Sequence, residues 1–147
     1  MRLLLDTTYF LPAIGISVRN LPKEAVVNLI KKGHEVMVSE ITFFELSAKG
    51  AKYVVNGKLS PERVCRGIRA IKHDERIKVI PIHDTSILLT AFKLRRILDD
   101  FTDCIILSSA INQAEVLITE DEDIRRVSEE ACSLKHGFRI IGLREVL

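Results

Sequence analysis

The chain has 147 residues, 47% hydrophobic and 29% charged, with seven Gly and four Pro, which suits one globular domain spanning residues 1–147 and excludes a fibrous or disordered chain. The formal net charge is only +2, and the three cysteines (Cys65, Cys104, Cys132) and four histidines (His34, His73, His83, His136) are scattered, so neither a disulfide framework nor a Cys/His zinc site is supported. Any metal would need oxygen ligands. Asp6 interrupts the apolar run at the N-terminus, leaving neither a signal peptide's apolar core nor the roughly 20 apolar residues of a membrane span, so a soluble cytoplasmic protein is expected.

In chain order, "RLLL" (2–5) reads as the first strand and ends in Asp6. "LPKEAVVNLIKKG" follows as a helix with Pro22 in its first turn and Gly33 at its end. "EVMV" (35–38) is the second strand, leading into "SEITFFELSAKGAKYVV", a helix with Ser39 as its N-cap that continues toward Gly57. "SPERVCRGIRAIKH" has Ser60 as N-cap, Pro61 at the first position and Val64, Ile68 and Ile71 at helical spacing. "IKVI" (77–80) is the third strand. "DTSILLTAFKLRRIL" places Asp84 at an N-cap and Ile87, Leu88, Ala91, Leu94 and Leu98 on one buried stripe. A helix from residue 101 precedes the fourth strand, "EVLI" (115–118), and "FRII" (138–141) is the fifth. Strands alternating with amphipathic helices predict an α/β domain of three layers, a parallel sheet with helices on both faces.

In such sheets ligands bind beyond the carboxyl ends of the strands. Asp6 follows the first strand, Glu45 lies on the helix after the second, and "TEDED" (119–123) follows the fourth. Asp103 begins the helix before the fourth strand, on the stripe continued by Ile106, Leu107, Ala110 and Ala114. Each acid also has a simpler explanation. Asp6 can end a strand and cap the next segment, Asp103 can serve the helix dipole behind an Asp100 cap, and the acids at 120–123 can be first-turn residues. Glu45 is harder to explain that way, because it lies beyond the first turn beside Ile41, Phe44 and Ala48, where burial is expected. Buried carboxylates that converge repel one another unless cations neutralise them, and Mg²⁺ or Mn²⁺ prefer such oxygen ligands.

Four stretches in this order, "LLLDTTYF", "SEITFFEL", "DDFTDCIILSSAI" and "VLITEDEDI", resemble the PIN domain, a nuclease family that includes VapC-type toxins and RNA-processing factors. The resemblance covers nearly the whole chain and implies a five-stranded parallel sheet in the order 3-2-1-4-5. It assigns catalysis and metal ligation to Asp6, Glu45, Asp103 and Asp121, with Asp123 as a further, less regular metal acid. Thr119 matches the threonine of the family's T-x-D motif, and Thr8 stands at a supporting polar position where Ser or Asn is commoner. The implied activity is that of an endoribonuclease using Mg²⁺ or Mn²⁺ on single-stranded or looped RNA, with a small antitoxin protein as partner if the chain is a toxin. A homodimer is also implied, with surfaces near residues 60–75 and 85–98. The alternatives are a PIN nuclease without an antitoxin, or a non-catalytic module binding RNA or protein. A phosphatase or receiver domain would want an acid pair or D-x-D after the first strand, where this chain has Asp6, Thr7 and Thr8.

The net +2 includes five negative charges from the candidate acids, leaving about +7 on the rest, which suits a polyanion. Lys49, Lys52, Arg63, Arg66, Arg69, Arg125 and Arg126 are candidate phosphate contacts, each equally consistent with a solvated helix face, and Tyr9 and Phe10 are candidates for base stacking.

Overall fold

The computed structural model describes residues 1–146. Five short strands, β1 (Arg2–Leu5), β2 (Glu35–Ser39), β3 (Ile77–Ile80), β4 (Val116–Ile118) and β5 (Arg139–Ile141), form one sheet in the order β3-β2-β1-β4-β5. All four pairings are parallel. The helices are α1 (Ala25–Lys31), α2 (Ile41–Val55), α3 (Pro61–Lys72), α4 (Thr85–Leu94), α5 (Phe101–Gln113), α6 (Glu122–Arg126) and α7 (Ser128–Leu134). The stretch Thr7–Ile14 is 3₁₀, as is Leu143–Glu145. The α/β reading and the strand order implied by the resemblance are both as expected.

Alternation along the central strands builds two cores. Leu4, Met37, Leu117 and Ile140 are in register and belong to one apolar cluster, completed by residues of α4, α5, α6 and α7. Leu3, Leu5, Val36, Val38, Val116 and Ile118 belong to the other, completed by the first 3₁₀ stretch and α1, α2 and α3. A strand whose residues are all apolar, such as Leu3–Leu5, is what a sheet covered on both faces requires. Burial of these side chains, at about 1.5–3 kcal/mol each relative to exposure, is the main source of stability.

The helix starts show where local chemistry sufficed. Ser60 caps α3 by accepting from the Arg63 N–H at 3.1 Å, with Pro61 next. Asp84 occupies the cap position of α4 without making a side-chain cap bond. Pro22 stands in the turn before α1, its carbonyl accepting from the Ala25 N–H at 3.1 Å, so that helix starts later than the sequence suggests. Ser39 ends β2, buried, and only its hydroxyl reaches Ile41 N–H, at 3.4 Å.

α3 approaches the first 3₁₀ stretch so closely that a Cβ at Gly67 would lie 2.3 Å from the Ala13 carbonyl oxygen. Gly67→Ala is therefore expected to lower stability by about 1–3 kcal/mol through backbone overlap, read as a fall in the denaturant midpoint at unchanged m value. An unchanged midpoint would show that α3 can shift away at no cost.

Candidate functional site

The sheet order reverses between β1 and its two neighbours, and the residues that follow the central strands collect at this switch point. Asp6 continues β1 by donating its N–H to the Ile118 carbonyl at 3.0 Å, and Thr119 extends β4 by donating its own to the Ile141 carbonyl at 3.0 Å. The register of β1 and β4 thus brings Asp6 and Thr119 side by side. The Thr119 hydroxyl donates to Asp6 Oδ2 at 2.6 Å, while Asp6 Oδ1 accepts from the Thr7 N–H at 2.8 Å. Asp6 is only 9% exposed and Thr119 is fully buried, so this carboxyl is held in one orientation. The Thr119 hydroxyl also accepts from the Asp121 N–H at 3.0 Å, and Asp121 caps α6 by accepting from the Ile124 N–H at 3.0 Å. Thr119 therefore ties two of the expected acids together.

The resemblance implies a supporting hydrogen bond from Thr8; it is the neighbouring Thr7 that makes a hydrogen bond to one of the expected acids. Its hydroxyl donates to Glu45 Oε1, and the Thr42 hydroxyl lies 2.9 Å away in position to donate to it in turn. Thr8 faces a neighbouring cavity. The reason is geometric: Asp6 enters a 3₁₀ turn, which points Thr7 toward α2 and carries the next side chain away. Thr42 stands one turn before Glu45 on the inward face of α2, a signal present in the spacing of "SEITFFEL" but hidden by the apolar residues around it.

Asp103 sits in the first turn of α5, behind Asp100, which caps the helix by accepting from the Thr102 N–H at 2.9 Å. Its stripe of Ile106, Leu107, Ala110 and Ala114 is buried against the sheet, and this packing holds the first turn at the strand ends. Burial, reinforced by Asp100, Asp121, Asp6 and Glu45, pushes the Asp103 carboxyl up to about 7. Burial likewise raises Asp6 and Glu45 above the usual carboxylate range, against the hydrogen bonds from Thr119 and Thr7 respectively. Lys49, one turn beyond Glu45, favours the charged form of both. Four distant acids therefore share one electrostatic environment. Asp123 stands apart: it is exposed and paired with Arg126 at 3.4 Å, although it lines a small cavity of about 180 Å³ with Asp100 and Asp103.

Among the described residues no three His, Cys, Asp or Glu side chains form a ready-made coordination group. The donor chemistry nevertheless fits a hard divalent cation. The groups are carboxylates backed by hydroxyls, and Asp6, Glu45 and Asp103 form no salt bridge with Lys, Arg or His among the described residues. Their mutual repulsion is relieved either by protonation or by a bound cation.

Several expected nucleic-acid contacts are structural. Phe10 is 2% exposed in the core, and Tyr9 is 4% exposed with its hydroxyl donated to Glu120 at 3.1 Å, so neither ring is free to stack on a base. Arg63 donates to the Ala13 carbonyl at 2.6 Å, and Arg125 lies between Glu120 at 3.5 Å and Glu145 at 3.4 Å. Arg66 and Arg69 are exposed on α3, and Lys49 and Lys52 line a groove beside the acids.

The PIN domain model matches residues 3–130, a span that holds all five strand-end and helix acids. The chain belongs to the PIN domain family. No curated protein matches this PIN domain. Among solved structures it is similar to a chain in the crystal structure of VapBC2 from Rickettsia felis bound to a DNA fragment from their promoter. The two are 19% identical with a TM-score of 0.63, over 95% of this PIN domain and 97% of the Rickettsia chain, a likeness of fold. No helix among the described residues is long and apolar enough to cross a membrane.

Proposed function

We propose that this PIN domain is a divalent-metal-dependent endoribonuclease, acting as the toxin of a toxin–antitoxin pair. The observation that carries the nuclease reading is the set of four carboxylates from separate segments, Asp6, Glu45, Asp103 and Asp121, coupled at one end of the sheet without a balancing salt bridge to Asp6, Glu45 or Asp103. These four would hold the cation, with Asp123 as an outlying acid. Bound Mg²⁺ or Mn²⁺ would supply positive charge for a scissile phosphate and lower the pKa of a water molecule. Thr119 and Thr7 keep Asp6 and Glu45 in position, and one of the four carboxylates accepts the attacking water's proton. Lys49, whose charge acts on both Asp6 and Glu45, lines a groove with Lys52 that offers cations to an RNA backbone, and single-stranded or looped RNA is the substrate class.

The toxin role and an antitoxin partner rest on the likeness to the VapBC2 chain and on nearly full mutual coverage. A homodimer is supported by an apolar patch on α4 and the turn that follows it, within the expected 85–98 surface. Phe92 is 56% exposed and stacks on Phe101, beside Leu89 and Ile97, whereas the outer face of α3 is mainly charged. Phe92→Glu is expected to shift the protein from dimer to monomer in sedimentation velocity while its circular dichroism spectrum stays that of the folded chain; a wild-type monomer would remove this part of the proposal.

The deciding experiment incubates labelled single-stranded and hairpin RNAs with purified protein in Mn²⁺, Mg²⁺ or EDTA. Cutting in either metal and not in EDTA supports the nuclease. Metal-independent RNA binding without cleavage would turn the reading to a non-catalytic module.

A further inference from the structure

A cavity of about 660 Å³ opens beside the acids and takes no part in the chemistry described above. Its walls are Val18, Leu21, Pro22 and Leu143, with Arg19 and Arg144 at its edge. It shares two segments with the acidic site: Thr8 and Tyr9 directly follow Asp6 and Thr7, and Glu120 precedes Asp121. The Tyr9 hydroxyl is held above its ordinary range by burial and Glu120, and the Asp6 charge also reaches it. Cavity and site are thus adjacent.

The two carboxylates in the cavity are already engaged. Glu120 accepts from Tyr9 at 3.1 Å, from the Leu143 N–H at 2.9 Å and from Arg125 at 3.5 Å, while Glu145 accepts from the Gly142 N–H at 3.1 Å and from Arg125 at 3.4 Å. Arg19 and Arg144 form no salt bridge among the described residues, so the charge left over is cationic. A second groove of about 350 Å³ lies across the Val18–Arg19 ridge, which lines both, and carries Lys49 and Lys52. The ridge has a defined shape: Gly15 and Asn20 adopt φ of 96° and 63°, and the Leu21 N–H donates to the Val18 carbonyl at 3.2 Å. Apolar side chains on which a base can pack, a size within the usual 300–1,000 Å³ of ligand pockets, and two lining arginines without a salt bridge match a nucleotide better than a peptide.

We propose that this cavity receives an RNA nucleobase flanking the cleaved bond, with Arg19 holding its phosphate and the strand continuing past Lys49 and Lys52. This deepens the nuclease reading and rests on it for the word "flanking". The test is a metal-free titration of ¹⁵N-labelled protein with each of the four ribonucleoside 5′-monophosphates. Saturable amide shifts are expected at Val18, Asn20, Leu143 and Arg144, and Arg19→Ala should weaken binding by about tenfold, the loss of one charge-assisted contact. Arg19→Lys should recover part of it. Absent shifts, shifts elsewhere, or an unchanged affinity in Arg19→Ala would overturn the subsite. Shifts induced by an acidic amphipathic peptide, and by no nucleotide, would reassign the cavity to a protein tail and overturn it too. The two readings separate cleanly. RNA cleavage that depends on Asp6, with a silent cavity, removes the subsite alone, whereas nucleotide binding in a protein that cuts no RNA keeps the cavity as a nucleotide site and removes the nuclease.

Discussion

Asp6→Asn and Asp103→Asn are each expected to reduce metal-dependent RNA cleavage by about 10²–10³-fold or more, because each removes a negative charge from the site proposed to hold a cation. The same change at Asp103 should make the metal-free protein more stable. Its carboxyl is pushed up to about 7 in the folded chain, by burial first and by Asp100, Asp121, Asp6 and Glu45 after it, against about 3.9 when unfolded. Between those values the folded chain holds a proton that the unfolded chain has released, so stability falls as pH rises from about 4 to 7 and stays low above. With the shift discounted for partial solvent screening, the loss is about 2 kcal/mol, or roughly 4–8 °C in melting temperature for a chain of this size.

Thermal melts in EDTA at pH 5 and pH 8 check this directly. Wild type should melt lower at pH 8, and Asp103→Asn should lose much of that difference while melting above wild type at pH 8. Added Mn²⁺ or Mg²⁺ should raise the wild-type melt at pH 8 more than that of the variant, since binding to the folded state alone is stabilising. A variant that melts below wild type at pH 8 would mean that its surroundings stabilise the Asp103 carboxylate.

Thr7→Val should cost about 10–100-fold in cleavage, the usual range for residues that orient metal-binding groups. The hydroxyl that joins Glu45 to Thr42 is lost with almost no change of shape, and Glu45 is freed to turn. Two buried or partly buried oxygens also lose a partner, at about 1–3 kcal/mol of stability. Thr7→Ser keeps the hydroxyl and should keep most of the activity. Thr8→Val, which breaks no hydrogen bond, should change stability by less than about 0.5 kcal/mol. Equal effects at 7 and 8 would contradict the assignment of the supporting role to Thr7.

Strand existence and helix faces were legible along the chain because the core is written locally, as short continuous apolar runs for strands covered on both faces and as period 3.6 for the helices. Asp6, Glu45 and Asp103 could be picked out for a related reason, whereas Asp121 and Thr119 were marked by the resemblance to the PIN domain. An acid at a strand end, or on a helix face that is otherwise apolar, breaks a pattern that burial would otherwise enforce. Thr7 and Thr42 broke no pattern, since threonine suits a strand end and a helix start equally well. Tyr9 and Phe10 misled because nearness in sequence to Asp6 says nothing about which way a 3₁₀ turn aims their rings.

By itself the sequence determined the parallel α/β class, since this follows from local hydrophobic patterning, and it marked candidate acids where a carboxylate interrupts that patterning. Only the tertiary structure decided that Asp6 meets Thr119 across the β1–β4 register, that Thr7 rather than Thr8 donates to Glu45, and which arginines remain unpaired. Those outcomes depend on contacts between segments up to 113 residues apart, and such contacts are set by how strands align and helices pack.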